Sequence, residues 1–126
     1  MDNWKANWLR KPLKEQFEIA VIIGKNIPRE KLSLLGTENV LQFYAFYKQA
    51  TKGPCQIEKP VIFDITKRAK WNSWRELGNM TADEAMILYL EHFKKVFLLL
   101  SILLLFALNF QLFKISLIIS LYVCSS

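Results

Sequence analysis

The chain has 126 residues, with 17 Lys and Arg against 11 Asp and Glu, a formal net charge of +6 at pH 7. Hydrophobic residues make up 52% and charged residues 22%, which excludes intrinsic disorder, and four Gly and four Pro are too few for a linker-rich or collagen-like chain. Two cysteines, Cys55 and Cys124, build no disulfide framework and match no zinc spacing, so neither a metal nor a cofactor is expected.

Residues 1–12 read as a lead-in, with Trp4, Trp8 and Leu9 ahead of Pro12. The longest apolar run near the start, residues 19–23, is shorter than the roughly 7–15 residues of a secretory core. From Leu13 the spacing turns helical. Phe17, Ala20, Val21 and Gly24 fall at i, i+3, i+4 and i+7, and Pro28 predicts an end near Asn26. Residues 29–36 read as a connecting loop with an apolar patch, Leu32, Leu34 and Leu35.

Thr37 is the expected N-cap of a second helix, with Glu38 in its first turn to meet the dipole. That helix runs to Gly53, a natural residue just past a helix end, and Pro54 follows. One of its faces, Phe43, Phe46, Tyr47 and Ala50, suits a core. A second face carries Val40 or Leu41, then Tyr44, Tyr47 and Lys48. Residues 55–66 lack a helical period and read as a long loop. Residues 67–77 read as a third helix closing at Gly78, with Trp71 and Trp74 as core. Thr81 and Glu84 fit a capping box for a fourth helix carrying Met86, Tyr89, Leu90, Phe93 and Val96. An all-α fold, a small bundle of four helices, is the expectation.

Charge then vanishes. All acidic residues lie between Asp2 and Glu91, and Lys114 is the only basic residue beyond Lys95, so residues 1–96 hold +5 (16 minus 11) and residues 97–126 one charge. Residues 96–113 give a stretch near the lower end of the roughly 17–25 apolar residues that span a bilayer. Lys94 and Lys95 stand at its start, as expected for a cytosolic domain ahead of a membrane anchor.

No Gly-rich phosphate loop, nucleophile elbow or paired His–Glu metal motif is present, and His92 is the only histidine, read as solvated or half-buried. No catalytic residue is expected. Tyr44, Tyr47, Lys48, Lys70 and Tyr89 stand out as a binding set, because tyrosines offer rings and hydroxyls while lysines act as point charges for phosphate. Aromatics at this spacing also serve as core, and exposed lysines are commonly just solvated. On residues alone, a basic helical domain binding nucleotides or nucleic acid is the alternative. Acids interleaved with the bases (Glu15, Glu18, Glu38, Glu76, Glu84, Glu91) interrupt the continuous positive stripe that nucleic acid would need, so no nucleic-acid partner is expected.

Three stretches in order resemble the acyl-CoA-binding protein family. The first is Phe43-Tyr-Ala-Phe-Tyr-Lys-Gln-Ala-Thr-Lys-Gly-Pro-Cys55. The second comprises Lys59-Pro, Phe63-Asp64 and Arg68-Ala-Lys-Trp-Asn-Ser-Trp74, and the third is Glu84-Ala-Met-x-x-Tyr89. The likeness covers residues 13–96, and Gly53-Pro54-Cys55 is most similar to the larger, membrane-linked members.

The resemblance implies a small four-helix bundle that binds long-chain fatty acyl-CoA as an intracellular carrier, without catalysis and as a monomer. It implies that Lys25, Tyr44, Tyr47, Lys48, Lys70 and Tyr89 contact the coenzyme A headgroup, with Lys70 at the ribose 3′-phosphate. By the same likeness, Phe17, Ala20, Val21, Val40 and Leu41 line the acyl groove. Two positions depart from the pattern: Thr66 stands where many minimal carriers have a further lysine, and Val40 where Met is usual. Residues 97–126 follow as an apolar helical tail, read as a membrane anchor with a core helix folded back on the bundle as the alternative.

Overall fold

The computed structural model describes residues 3–125, and of Trp4 and Ser125 only the backbone. Six α-helices follow in order, with no strand among the described residues: α1 (Asn3–Arg10), α2 (Leu13–Lys25), α3 (Arg29–Leu32), α4 (Thr37–Lys52), α5 (Ile65–Arg75) and α6 (Ala82–Ser125). The four expected helices are α2, α4, α5 and α6. Two shorter pieces replace expected irregular chain. The lead-in forms α1, whose Trp8 packs on the main core, and residues 29–35 wind into α3 and a 3₁₀ turn, Ser33–Leu35.

Helix starts are set by caps, and two differ from the reading above. Gly36, at φ 81° and ψ 152°, occupies the N-cap of α4, so Thr37 is already helical and makes no side-chain cap. A residue with a Cβ would be strained at that positive φ. Helix α5 begins two residues early because the Asp64 carboxylate accepts the Lys67 amide at 3.0 Å. That bond, together with the Lys67 ammonium, holds the Asp64 carboxyl below its ordinary range. The capping box at α6 forms as expected. The Thr81 amide donates to Glu84 Oε2 at 2.9 Å, and the Glu84 amide donates to Thr81 Oγ1 at 3.2 Å.

The chain divides into two compact units, one ending at Lys94 and one starting at Lys95. The first unit holds two buried clusters. In the larger, Phe17, Ala20 and Val21 of α2 meet Ala50 of α4 and Ala85, Tyr89 and Leu90 of α6. The periodic face expected of α2 is thus its buried face. In the smaller, Ala45 of α4, Cys55 and Trp74 of α5 pack together, with Tyr44, Trp71 and Leu77 against them.

Gln49 ties the helices to one another. It is fully buried, and its amide donates to the Gly78 and Met80 carbonyls at 3.0 and 2.8 Å while its oxygen accepts the Trp74 indole N–H at 3.1 Å. One side chain thereby fixes α4 to α5 and to the turn that precedes α6. His92 is buried rather than solvated. Its Nε2 donates to the Asn39 carbonyl at 3.2 Å, and its ring lies edge-on to Phe43 at 4.5 Å.

The second unit is the remainder of α6. Its large side chains, from Phe97 to Val123, are almost all exposed, and α6 has a mean hydropathy of 2.5 in its most apolar window. Among the described residues this is the one helix long and apolar enough to cross a membrane.

Candidate functional site

Helix α4 organises the site because Tyr44, Tyr47 and Lys48 project within about one turn of one another. Two cation–ring clusters form on them. In one, the Lys48 and Lys70 ammonium groups stand 5.8 and 5.4 Å from the Tyr44 ring centroid, and Lys48 also lies 5.5 Å from the Trp74 ring. Lys70 reaches Tyr44 from α5, so this cluster exists only once α4 and α5 pack. Burial, and then the nearby Cys55 thiol, raise the Tyr44 hydroxyl above its ordinary value, so the phenol stays neutral beside the cations at pH 7.

In the other cluster, Lys25 at the end of α2 places its ammonium 5.3 Å from the Tyr47 ring. Tyr47 stacks with Phe17 at 6.3 Å, and Phe17 meets Tyr89 edge-on at 5.1 Å. Tyr89 is only 5% exposed. Burial, with the Tyr47 phenol beside it, pushes its hydroxyl up to about 12. The hydroxyl lies where a Cβ on Gly24 would come within 3.3 Å, so the missing side chain at Gly24 admits it against α2. Tyr89 therefore offers no open ring face, and what it contributes beside Tyr47 is a hydroxyl at the edge of the core.

Beside Tyr47 opens a groove of about 630 Å³ between α2, α4 and the start of α6. Its lining comprises Phe17, Val21, Ile22, Tyr47, Ala50 and Met86, with the exposed Lys14, Glu18 and Thr51. That volume lies within the range of roughly 300–1,000 Å³ usual for small-molecule sites. Of the residues expected to line an acyl groove, Phe17 and Val21 do line this one. Ala20 is fully buried at 0% exposure, and Val40 and Leu41 are half-buried near the start of α4 and are not among the residues that border this groove. A second hollow of about 420 Å³ is bounded by Lys48, Lys52, Pro54, Gln56, Ile57 and Trp74, next to the Tyr44 cluster.

Sequence reasoning missed Lys52, Met86 and Ile22 as lining residues. Lys52 lies one helical turn beyond Lys48, and that spacing was the available signal. Met86 and Ile22 looked like ordinary positions on apolar helix faces, and only packing shows that they border open space. Thr66 is exposed in the first turn of α5 beside Lys67.

A family model described as acyl CoA binding protein matches residues 14–93. The chain belongs to the acyl-CoA-binding protein family. It is 46% identical over 81 residues to acyl-CoA-binding domain-containing protein 5 of Bos taurus, covering 64% of this chain and 15% of that protein. To acyl-CoA-binding domain-containing protein 4 of Homo sapiens it is 40% identical over 83 residues, covering 66% of this chain and 31% of that protein. The chain thus spans a small part of these larger relatives. Among solved structures, acyl-CoA-binding protein 2 of Oryza sativa superposes with a TM-score of 0.65 at 32% identity, over 71% of this chain and 96% of that one. The acyl-CoA-binding protein of Moniliophthora perniciosa gives 0.63 at 30% identity, over 66% and 78%. The matched region contains both cation–ring clusters and the groove. This acyl-CoA-binding domain is a binding module, and the apolar length of α6 lies outside the family match.

Proposed function

We propose that residues 13–96 bind long-chain fatty acyl-CoA thioesters without catalysis, as a monomeric intracellular carrier and pool former, and that residues 97–126 anchor this domain on the cytosolic side of a membrane. The observation that carries the reading is the convergence of Lys48 and Lys70 on the Tyr44 ring, in the same domain as an apolar groove bordered by Tyr47. Coenzyme A presents a 3′-phosphate, a diphosphate and an adenine. Mobile ammonium groups suit the phosphates, and a ring with cations around it suits the base. Lys70 takes the 3′-phosphate, Tyr44 and Lys48 the adenine nucleotide, and Lys25 with Tyr47 the part of the headgroup nearest the groove.

The groove supplies the other half of the affinity. Each methylene buried there is worth about 0.8 kcal/mol, so chain length adds binding energy without a further polar contact. Binding without cleavage is the reading that a site of tyrosine rings, lysine ammonium groups and apolar side chains supports. The anchor rests on the single charge in residues 97–126 and on the exposure of the large side chains there. Left in water, such a surface drives aggregation.

The test is calorimetric titration of a chain ending at Val96 with palmitoyl-CoA and, separately, with a single-stranded oligonucleotide. Saturable one-to-one binding of the thioester alone is expected. Binding of the oligonucleotide alone would return the basic helical domain to the nucleic-acid reading.

A further inference from the structure

Between α4 and α5 the chain turns its largest apolar side chains outward. Val61, Ile62, Phe63 and Ile65 are all exposed, Phe63 to 96%, and Ile57 joins them. A concentration of exposed apolar side chains on a folded domain marks contact with an apolar partner. The backbone beneath is held at several points. The Trp71 indole N–H donates to the Ile57 carbonyl at 2.7 Å, the Asp64 amide donates to the Val61 carbonyl at 3.2 Å, and Asp64 caps α5 through the Lys67 amide. Arg75 donates to the Cys55 carbonyl just upstream. The apolar tips therefore project from a built turn.

Charge around the turn identifies the partner. Lys59, Lys67 and Arg68 flank the apolar residues in sequence. Two acids lie in the same stretch, Glu58 and Asp64, the latter 3.3 Å from Lys67, so the three cations exceed the acids by one. Apolar tips with cations beside them match the headgroup layer of an anionic bilayer, where branched chains and rings enter the acyl boundary and ammonium groups stay with lipid phosphate. We propose that residues 57–65 form a bilayer-docking turn, seating Ile62, Phe63 and Ile65 at the acyl–headgroup boundary of an anionic membrane with Lys59, Lys67 and Arg68 on lipid phosphates. Ile57 also borders the smaller hollow beside the Tyr44 cluster, but Ile62, Phe63, Ile65, Lys59, Lys67 and Arg68 belong neither to the binding set nor to the lining of either hollow.

The test uses the full chain carrying Cys124→Ser and Phe63→Cys, labelled at position 63 with an environment-sensitive fluorophore and reconstituted into phosphatidylcholine vesicles with or without phosphatidylserine. The chain with Cys124→Ser alone reports any labelling of the buried Cys55. In the anionic vesicles the emission should shift to the blue, and quenching by aqueous iodide should fall several-fold. Both effects should fade in high salt, which screens exposed charge, and in the variant with Lys59→Glu and Lys67→Glu. Equal quenching in the two vesicle types overturns the proposal. So does protection that follows added palmitoyl-CoA in neutral vesicles, a result that would assign the patch to ligand.

Discussion

Replacing Gln49 tests whether one buried amide holds the binding helix in place. In Gln49→Leu the shape is roughly kept but every polar contact is lost. The Trp74 indole retains a second acceptor, the Gly53 carbonyl at 3.0 Å, so it is not orphaned. The Gly78 and Met80 carbonyls lose this donor. A buried acceptor left unsatisfied costs about 1–3 kcal/mol, but Gly78 is exposed and Met80 half-buried, so water reaches the two carbonyls in part and the total should be about 1–2 kcal/mol. Gln49→Glu is the sharper variant. It keeps an acceptor for Trp74 but removes both N–H donors and points a carboxylate at two carbonyl oxygens, so it should be at least as destabilising as Leu. Urea unfolding of chains ending at Val96, followed by circular dichroism, should give a lower unfolding free energy with an unchanged slope. A loss below about 1 kcal/mol for Gln49→Leu, or wild-type stability for Gln49→Glu, would refute the reasoning.

Three further outcomes are expected. Tyr89 ionises at about 12 in the fold against 10.0 in the unfolded chain, so its contribution is whole below pH 10 and is lost as pH rises towards 12. Over that window wild type should lose up to about 2–3 kcal/mol that Tyr89→Phe does not, measured by chemical denaturation at both ends. Lys48→Ala should weaken palmitoyl-CoA binding and leave thermal unfolding unchanged, whereas Tyr44→Ala should lower both, because that ring packs on the Ala45–Cys55–Trp74 cluster. The full chain should float with neutral liposomes and resist carbonate extraction, while a chain ending at Val96 stays in the soluble fraction.

The long helices were legible because their apolar residues repeat on a helical period, and the Thr81–Glu84 box because both partners lie within one turn. Helix α3 was not, since four residues are too short to show a period. The start of α5 was missed although its signal was present: Asp64 stands three residues before the Lys67 amide that it caps. Gly36 displaced Thr37 as the cap of α4 because the chain enters that helix at positive φ, which is a backbone choice that a preference for Thr side chains does not reveal. The binding set shows a different limit. Tyr44, Tyr47 and Lys48 share a helix and could be grouped from spacing. Lys25 over Tyr47 and Lys70 over Tyr44 are contacts between helices; Lys70 joined the set by residue type and Lys25 by the family resemblance, and neither reading gave the contact itself. Spacing also could not show that the Tyr89 ring is enclosed by Phe17 and Phe43, or that Ile22 and Met86 border the groove.

The most direct test of the central claim pairs Lys70→Ala with removal of the phosphate that it is assigned to hold. Palmitoyl-CoA and its 3′-dephospho analogue are each titrated calorimetrically into wild type and Lys70→Ala. A charged hydrogen bond contributes about 1.5–3 kcal/mol, so the substitution should weaken palmitoyl-CoA binding by roughly ten- to 150-fold. For the analogue it should change little. An equal loss with both ligands would contradict the assignment of Lys70, and no binding of either ligand to wild type would contradict the account as a whole.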